Sequence, residues 1–156
     1  MVWVPRGEQP IAAVNWRYEW LWLVAFVHPE SGQTYWWMMP LLNTEVFALL
    51  LADFAEHFGI GEHKQVVLAV DQATYHTTER LRVPPGVHLL LMPSKSPELQ
   101  PAERLWPLTN EAIANQAFDS LDALEEVTAQ RCRALMKQPE LIRRLTCYHW
   151  WPKTMA

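Results

Sequence analysis

Residues Val66–Trp106 read VVLAVDQATYHTTERLRVPPGVHLLLMPSKSPELQPAERLW, and this stretch decides the fold. One apolar run stops abruptly on Asp71, and a second, Val87 to Met92, leads through a proline-rich loop to Glu103. Both runs read as short strands. Val66 to Val70 shows no polar alternation, which predicts burial on both faces, as at the centre of a sheet covered by helices. An acid at the C-terminal end of such a strand is well placed for chemistry. The strand holds its backbone rigid while the carboxylate emerges into the crevice at the edge of the sheet.

Working outward, Thr77 to Leu81 predicts a short helix, which Pro84-Pro85-Gly86 breaks. Residues 93–101 form a rigid loop whose last proline suits the first turn of a helix carrying Glu103, and Pro107 is expected to kink or end that helix. Upstream, Val14 to Val27 and Gln33 to Met39 are aromatic and β-branched runs separated by His28-Pro29-Glu30-Ser31-Gly32, the pattern of a β-hairpin. Asn43 or Thr44 then caps a helix whose apolar positions Phe47, Leu50, Leu51, Phe54 and Phe58 recur every three or four residues, with Gly59 and Gly61 as stop signals. Downstream, Asp119 or Ser120 caps a helix over Leu121 to Lys137 with the stripe Leu121, Leu124, Val127 and Leu135. Its acids gather at the positive end and its basic residues at the negative end. A last helical turn or two begins at Pro139, before the aromatic cluster Tyr148-His149-Trp150-Trp151. Residues 1–13 read as an extended lead-in.

The 156 residues suit a single domain with one core. Half the residues are hydrophobic, with nine Trp and twelve Pro, so the chain is globular with stiff connections. Cys132 and Cys147 are too few for a disulfide framework or a four-thiolate zinc site, and a reducing cytoplasm is the expected location. Apolar runs stop well short of the roughly 20 residues of a membrane span, so no membrane partner is expected. A net charge of −4 excludes a globally basic nucleic-acid binder, although Arg80 with Arg82 and Arg143 with Arg144 form local basic pairs.

Asp71 and Glu103 together can hold a hard cation such as Mg²⁺ or Mn²⁺, because two carboxylates in a desolvated crevice need a cation between them. A metal held there would activate a water or hydroxyl for in-line phosphoryl transfer. Composition alone leaves the plainer alternative open, since acids at loop boundaries also serve as caps or surface charges.

Beyond composition, VVLAVDQATYH followed by LLLMPSKSPELQPAERLW resembles the catalytic core of DDE transposases, in the bacterial insertion-sequence branch related to mariner elements. Asp71 and His76 match the first part of that pattern. Pro93, Ser96, Pro97, Leu99, Pro101, Glu103 and Trp106 match the second. Trp3-Val4-Pro5-Arg6-Gly7, Pro10, the hairpin turn and Asn43-Thr44-Glu45-Val46-Phe47 follow in family order. The resemblance implies an α/β, ribonuclease H-like (retroviral integrase-like) fold, a mixed sheet flanked by helices. It also implies metal-dependent cleavage and transfer of DNA strands at transposon ends, with Asp71 and Glu103 as second and third catalytic acids and metal ligands.

The departure from the family lies at the start. The family's first catalytic Asp sits on a strand upstream of the Trp-x-Pro-x-Gly segment, which here almost coincides with Met1. The chain is therefore expected to be N-terminally incomplete, without that acid or its strand, and impaired alone. The alternative is a non-catalytic transposase remnant that binds DNA or self-associates, as a homodimer or larger assembly. Glu19 is a candidate surrogate ligand, or else faces solvent or pairs with Arg17 inside its strand. His76 is expected either to support Asp71 or to be structural. Lys95 and Arg104, flanking the site, are candidate DNA contacts or solvated surface charges. Acting on DNA, the protein would associate with the nucleoid.

Overall fold

The computed structural model describes residues 19–148, so the readings made for residues 1–18 and for His149-Trp150-Trp151 lie outside it. The hairpin consists of β1 (Trp22–His28) and β2 (Gln33–Met39), antiparallel in the register Trp22↔Met39 to His28↔Gln33. The first strand opens later than the sequence suggests. Residues 19–21 are not strand, so Glu19 precedes β1 rather than lying inside it, and it is exposed. At the turn, Gly32 adopts φ 71° and donates its N–H to the His28 carbonyl at 2.8 Å. A Cβ there would collide with the Pro139 carbonyl, so both dihedral and close approach require glycine.

The hairpin is covered on both faces. Val24, Phe26, Tyr35, Trp37 and Met39 pack toward α1 (Thr44–Phe58), with the Phe26 and Phe54 rings 4.6 Å apart. The alternate residues Ala25, Val27 and Trp36 pack on a second cluster of Leu105, Leu135 and Ile142. That cover comes from α4 (Leu121–Met136) and α5 (Pro139–Thr146) with the segment around Leu105. The long aromatic runs make physical sense in this setting, because a strand covered twice can be apolar at successive positions.

Helix α1 starts as expected. The Asn43 Oδ1 accepts the Val46 N–H at 2.9 Å, and the helix ends on Gly59 at φ 61°. In α4 the Ser120 hydroxyl accepts the Ala123 N–H at 3.2 Å, but the fully covered positions are Thr128, Cys132 and Leu135 rather than the whole expected stripe. Thr128 tolerates burial by donating its hydroxyl to the Leu124 carbonyl.

The second sheet pairs β3 (Val66–Val70) with β4 (Val87–Leu91) in parallel, Val66 opposite Val87 and Val70 opposite Leu91. Among the described residues the two sheets are two-stranded and separate, not one mixed sheet. They share α1 as cover, since Val66, Leu68, Val70, Val87 and Leu89 pack into the same core as the hairpin. Burial of β3 on both faces is not observed. Val67 is 66 % exposed and Leu90 on the neighbouring strand is 54 % exposed. The apolar run reports the covered inner face correctly, but the outer face has no helix against it among the described residues.

Two local expectations are corrected. The short helix after Asp71 is α2 (Thr74–Thr77), and Thr78 to Leu81 turn instead, with the Thr78 hydroxyl accepting the Arg80 N–H. Pro107 does not end a helix. A 3-10 helix over Pro101–Leu105 runs into α3 (Trp106–Asn110), whose first turn holds Pro107, where its missing N–H costs nothing.

Candidate active site

Parallel pairing of β3 and β4 brings their C-terminal ends to one edge, and the chain leaves both strands there. Val70 is buried, so the Asp71 backbone is anchored while 57 % of its side chain stays exposed. The exits are tied together. Met92 donates its N–H to the Val70 carbonyl at 2.8 Å, and Gln72 Nε2 donates to the Met92 carbonyl at 3.0 Å.

Beyond β4 the loop passes through Lys95, at φ 59°, and two single-turn 3-10 helices, Pro97–Leu99 and Pro101–Leu105. The N–H groups of Leu99, Gln100 and Glu103 close these turns onto Ser96, Pro97 and Gln100 carbonyls, and Pro101 is buried. This stiff path carries Glu103 to the cleft that Asp71 also borders. Both acids line one cleft of about 280 Å³, with Gln72, Lys95, Ser96 and Gln100 among its other polar walls. The two candidate acids thus border the same cleft.

The Asp71 carboxylate is half engaged. Its Oδ1 accepts the Ala73 N–H at 3.0 Å and lies 2.7 Å from the His76 Nδ1, while Oδ2 and both Glu103 oxygens have no hydrogen-bond partner among the described residues. These oxygens suit a hard divalent cation, which is commonly held by one or two carboxylates with water and substrate phosphate completing the shell. Among the described residues no three His, Cys, Asp or Glu side chains converge as a metal group. Beside the site, burial first and the Asp71 charge second hold the Tyr75 phenol above its ordinary 10.0, so it remains protonated at neutral pH.

Against this geometry, residues 1–125 match the DDE superfamily endonuclease family. The chain belongs to that superfamily. Membership carries with it a ribonuclease H-like α/β fold, action on DNA and the use of divalent metal, and the small sheets and flanking helices are consistent with that fold. Among curated proteins, "Uncharacterized protein y4pE/y4sA" from Sinorhizobium fredii (strain NBRC 101917 / NGR234) is 29 % identical over 132 residues, covering 84 % of this chain and 96 % of that protein. No solved structure matches.

Within this DDE endonuclease domain, both acids fall inside the matched region, as does Lys95 in the cleft wall. Arg104 points its chemistry elsewhere, donating Nε–H to the Tyr148 hydroxyl at 2.9 Å. Glu19 is not among the residues lining the cleft. Gln72 and Gln100, which also line the cleft, carry no distinguishing sequence signal. A neutral amide carries no charge pattern, and only adjacency to Asp71 and to Pro101 could have drawn attention to them.

Proposed function

We propose that this chain is the catalytic core of an insertion-sequence transposase, cleaving and transferring DNA strands at transposon ends with Mg²⁺ or Mn²⁺ at Asp71 and Glu103. The observation that carries this reading is the shared cleft of the two carboxylates at the C-terminal edge of a parallel strand pair. The metal would supply a polarised nucleophile and neutralise charge developing on the scissile phosphate. Asp71 Oδ2 and the Glu103 carboxylate would hold it, and Lys95 would meet a neighbouring phosphate. A third carboxylate, the counterpart of the family's first Asp, would come from outside the described residues. With the two carboxylates alone the site would bind metal weakly and strand transfer would be impaired. Such a protein works in the cytoplasm on nucleoid DNA, and among the described residues no helix is long and apolar enough to cross a membrane.

The test is nicking of supercoiled DNA by the purified chain across a Mn²⁺ series. Metal-dependent nicking that disappears in Asp71→Ala and Glu103→Gln supports the enzyme; nicking that survives both rejects these two ligands.

The second reading is a non-catalytic remnant that self-associates, and the open apolar outer face at Val67 and Leu90 favours it. A second copy of the chain is the occupant proposed for that face. Silence at every Mn²⁺ concentration, combined with a stable dimer, would support this reading.

A further inference from the structure

We propose that His76 is a positioning residue for Asp71, fixing the carboxylate so that Oδ2 is the single oxygen it offers to a metal. This rests on the metal-site reading above and deepens it. The His76 Nδ1 lies 2.7 Å from Asp71 Oδ1 and 3.1 Å from the Asp71 backbone carbonyl oxygen. A backbone carbonyl can only accept, and so can the ionised carboxylate. Nδ1 therefore carries its proton whether the ring is neutral or charged, and Nδ1 itself is excluded as a metal donor.

The same Oδ1 accepts the Ala73 N–H at 3.0 Å, so two donors converge on one carboxylate oxygen. Rotation about the Cβ–Cγ bond would break both contacts, and Oδ2 is left without a partner among the described residues. The ring is itself immobilised. Its side chain is only 9 % exposed and packs 4.4 Å from the Phe47 ring of α1 and 4.4 Å from the Tyr75 ring of α2. The one-turn helix α2 supplies the local geometry, returning position 76 to the carboxylate five residues earlier. Rigidity thus passes from the α1 core through Phe47 and His76 to Oδ1, and through the planar carboxylate fixes where Oδ2 points. Outer partners of this kind orient a ligand and commonly change metal affinity 10- to 100-fold when removed.

The experiment is a Mn²⁺ titration followed by electron paramagnetic resonance on the full chain and three variants. An Asn amide nitrogen can stand where Nδ1 stands, whereas a Gln amide reaches toward the Nε2 position. His76→Asn should keep Mn²⁺ affinity within about threefold of the parent, while His76→Gln and His76→Ala lose roughly tenfold or more. Thermal unfolding of each variant separates a folding defect from a site defect. A purely structural His76 would make Asn and Gln equivalent in affinity, and a parent-like His76→Gln overturns the proposal. If the parent binds Mn²⁺ but all three variants bind equally well, His76 has no positioning role while the metal site stands. If the parent binds none, the metal-site reading falls first and takes this inference with it.

Discussion

Arg104 and Tyr148 are joined twice, by the Nε–H to hydroxyl bond of 2.9 Å and by the guanidinium lying 5.6 Å from the ring centre. Lys95, by contrast, lines the cleft and forms no ion pair among the described residues. The two cations flanking Glu103 should therefore contribute unequally to DNA binding. Lys95 occupies φ 59°, a region glycine enters without strain, so Lys95→Gly removes the charge and leaves the loop conformation accessible. That variant should weaken DNA binding and reduce the slope of log affinity against log salt by about 1, as expected for one lost phosphate contact. Arg104→Ala should change the slope less. Fluorescence anisotropy over a salt series measures both, and a larger effect at Arg104 would reverse the assignment.

The contrast also shows what was legible in the chain. Asp71 stands out because it ends an apolar run sharply, and Glu103 because a second such run leads to it through a proline-rich loop; parallel pairing of the runs and the 3-10 turns of that loop set both acids on one cleft. The Arg104 partner is invisible to local pattern, since Tyr148 lies on the far side of α4 and α5 in sequence and meets it only through tertiary packing. Hairpin and α1 follow from turn and cap chemistry that acts over a few residues, as at Gly32 and Asn43. The exposure of Val67 does not. A run of five apolar residues looks the same whether one face or both are covered, because covering depends on where distant helices settle. Pro107 misleads for a related reason, being equally suited to end one helix or to open another.

Leu51 and Leu135 are both fully enclosed, one in the core under α1 and the other in the core under α4 and α5. The hairpin contributes to both cores through its alternating faces, so the two should not unfold separately. Leu51→Ala and Leu135→Ala are each expected to cost about 2–5 kcal/mol, through lost transfer energy and the cavity left behind. Denaturant titrations followed by circular dichroism and by tryptophan fluorescence should give coincident transitions in the parent. Two separated transitions, with each variant shifting only one, would mean the cores are independent.

Val67 and Leu90 lie on the outer face of the β3–β4 pair, where nothing among the described residues covers them. Because both are already solvated, replacing them should leave stability nearly unchanged, within about 0.5 kcal/mol for a surface site. Leu90→Lys places a charge in the middle of that face. If the face joins two copies of the chain, sedimentation should show the parent dimer shifting to monomer in this variant with little change in unfolding midpoint. A dimer that persists would place the contact elsewhere.

Cys132 is 3 % exposed in α4, and burial pushes its thiol from the ordinary 9.0 to about 11, against partial relief from the nearby Arg131 and Arg133 charges. Cys147 is exposed. Since the thiolate is the reactive form, a disulfide reagent at neutral pH should modify Cys147 quickly and Cys132 only on the timescale of unfolding. The same shift predicts a pH effect of definite sign. A folded-state value above the unfolded one means that the native chain holds the proton more tightly, so the contribution to stability is complete below pH about 9. It is lost as the pH rises toward about 11, because the unfolded chain ionises there while the native one resists. Cys132→Ala should flatten that alkaline decline relative to the parent, in addition to any uniform loss from the cavity. Unfolding midpoints from pH 8 to pH 11 test this, and parallel curves for parent and variant would show that the buried thiol is not what titrates.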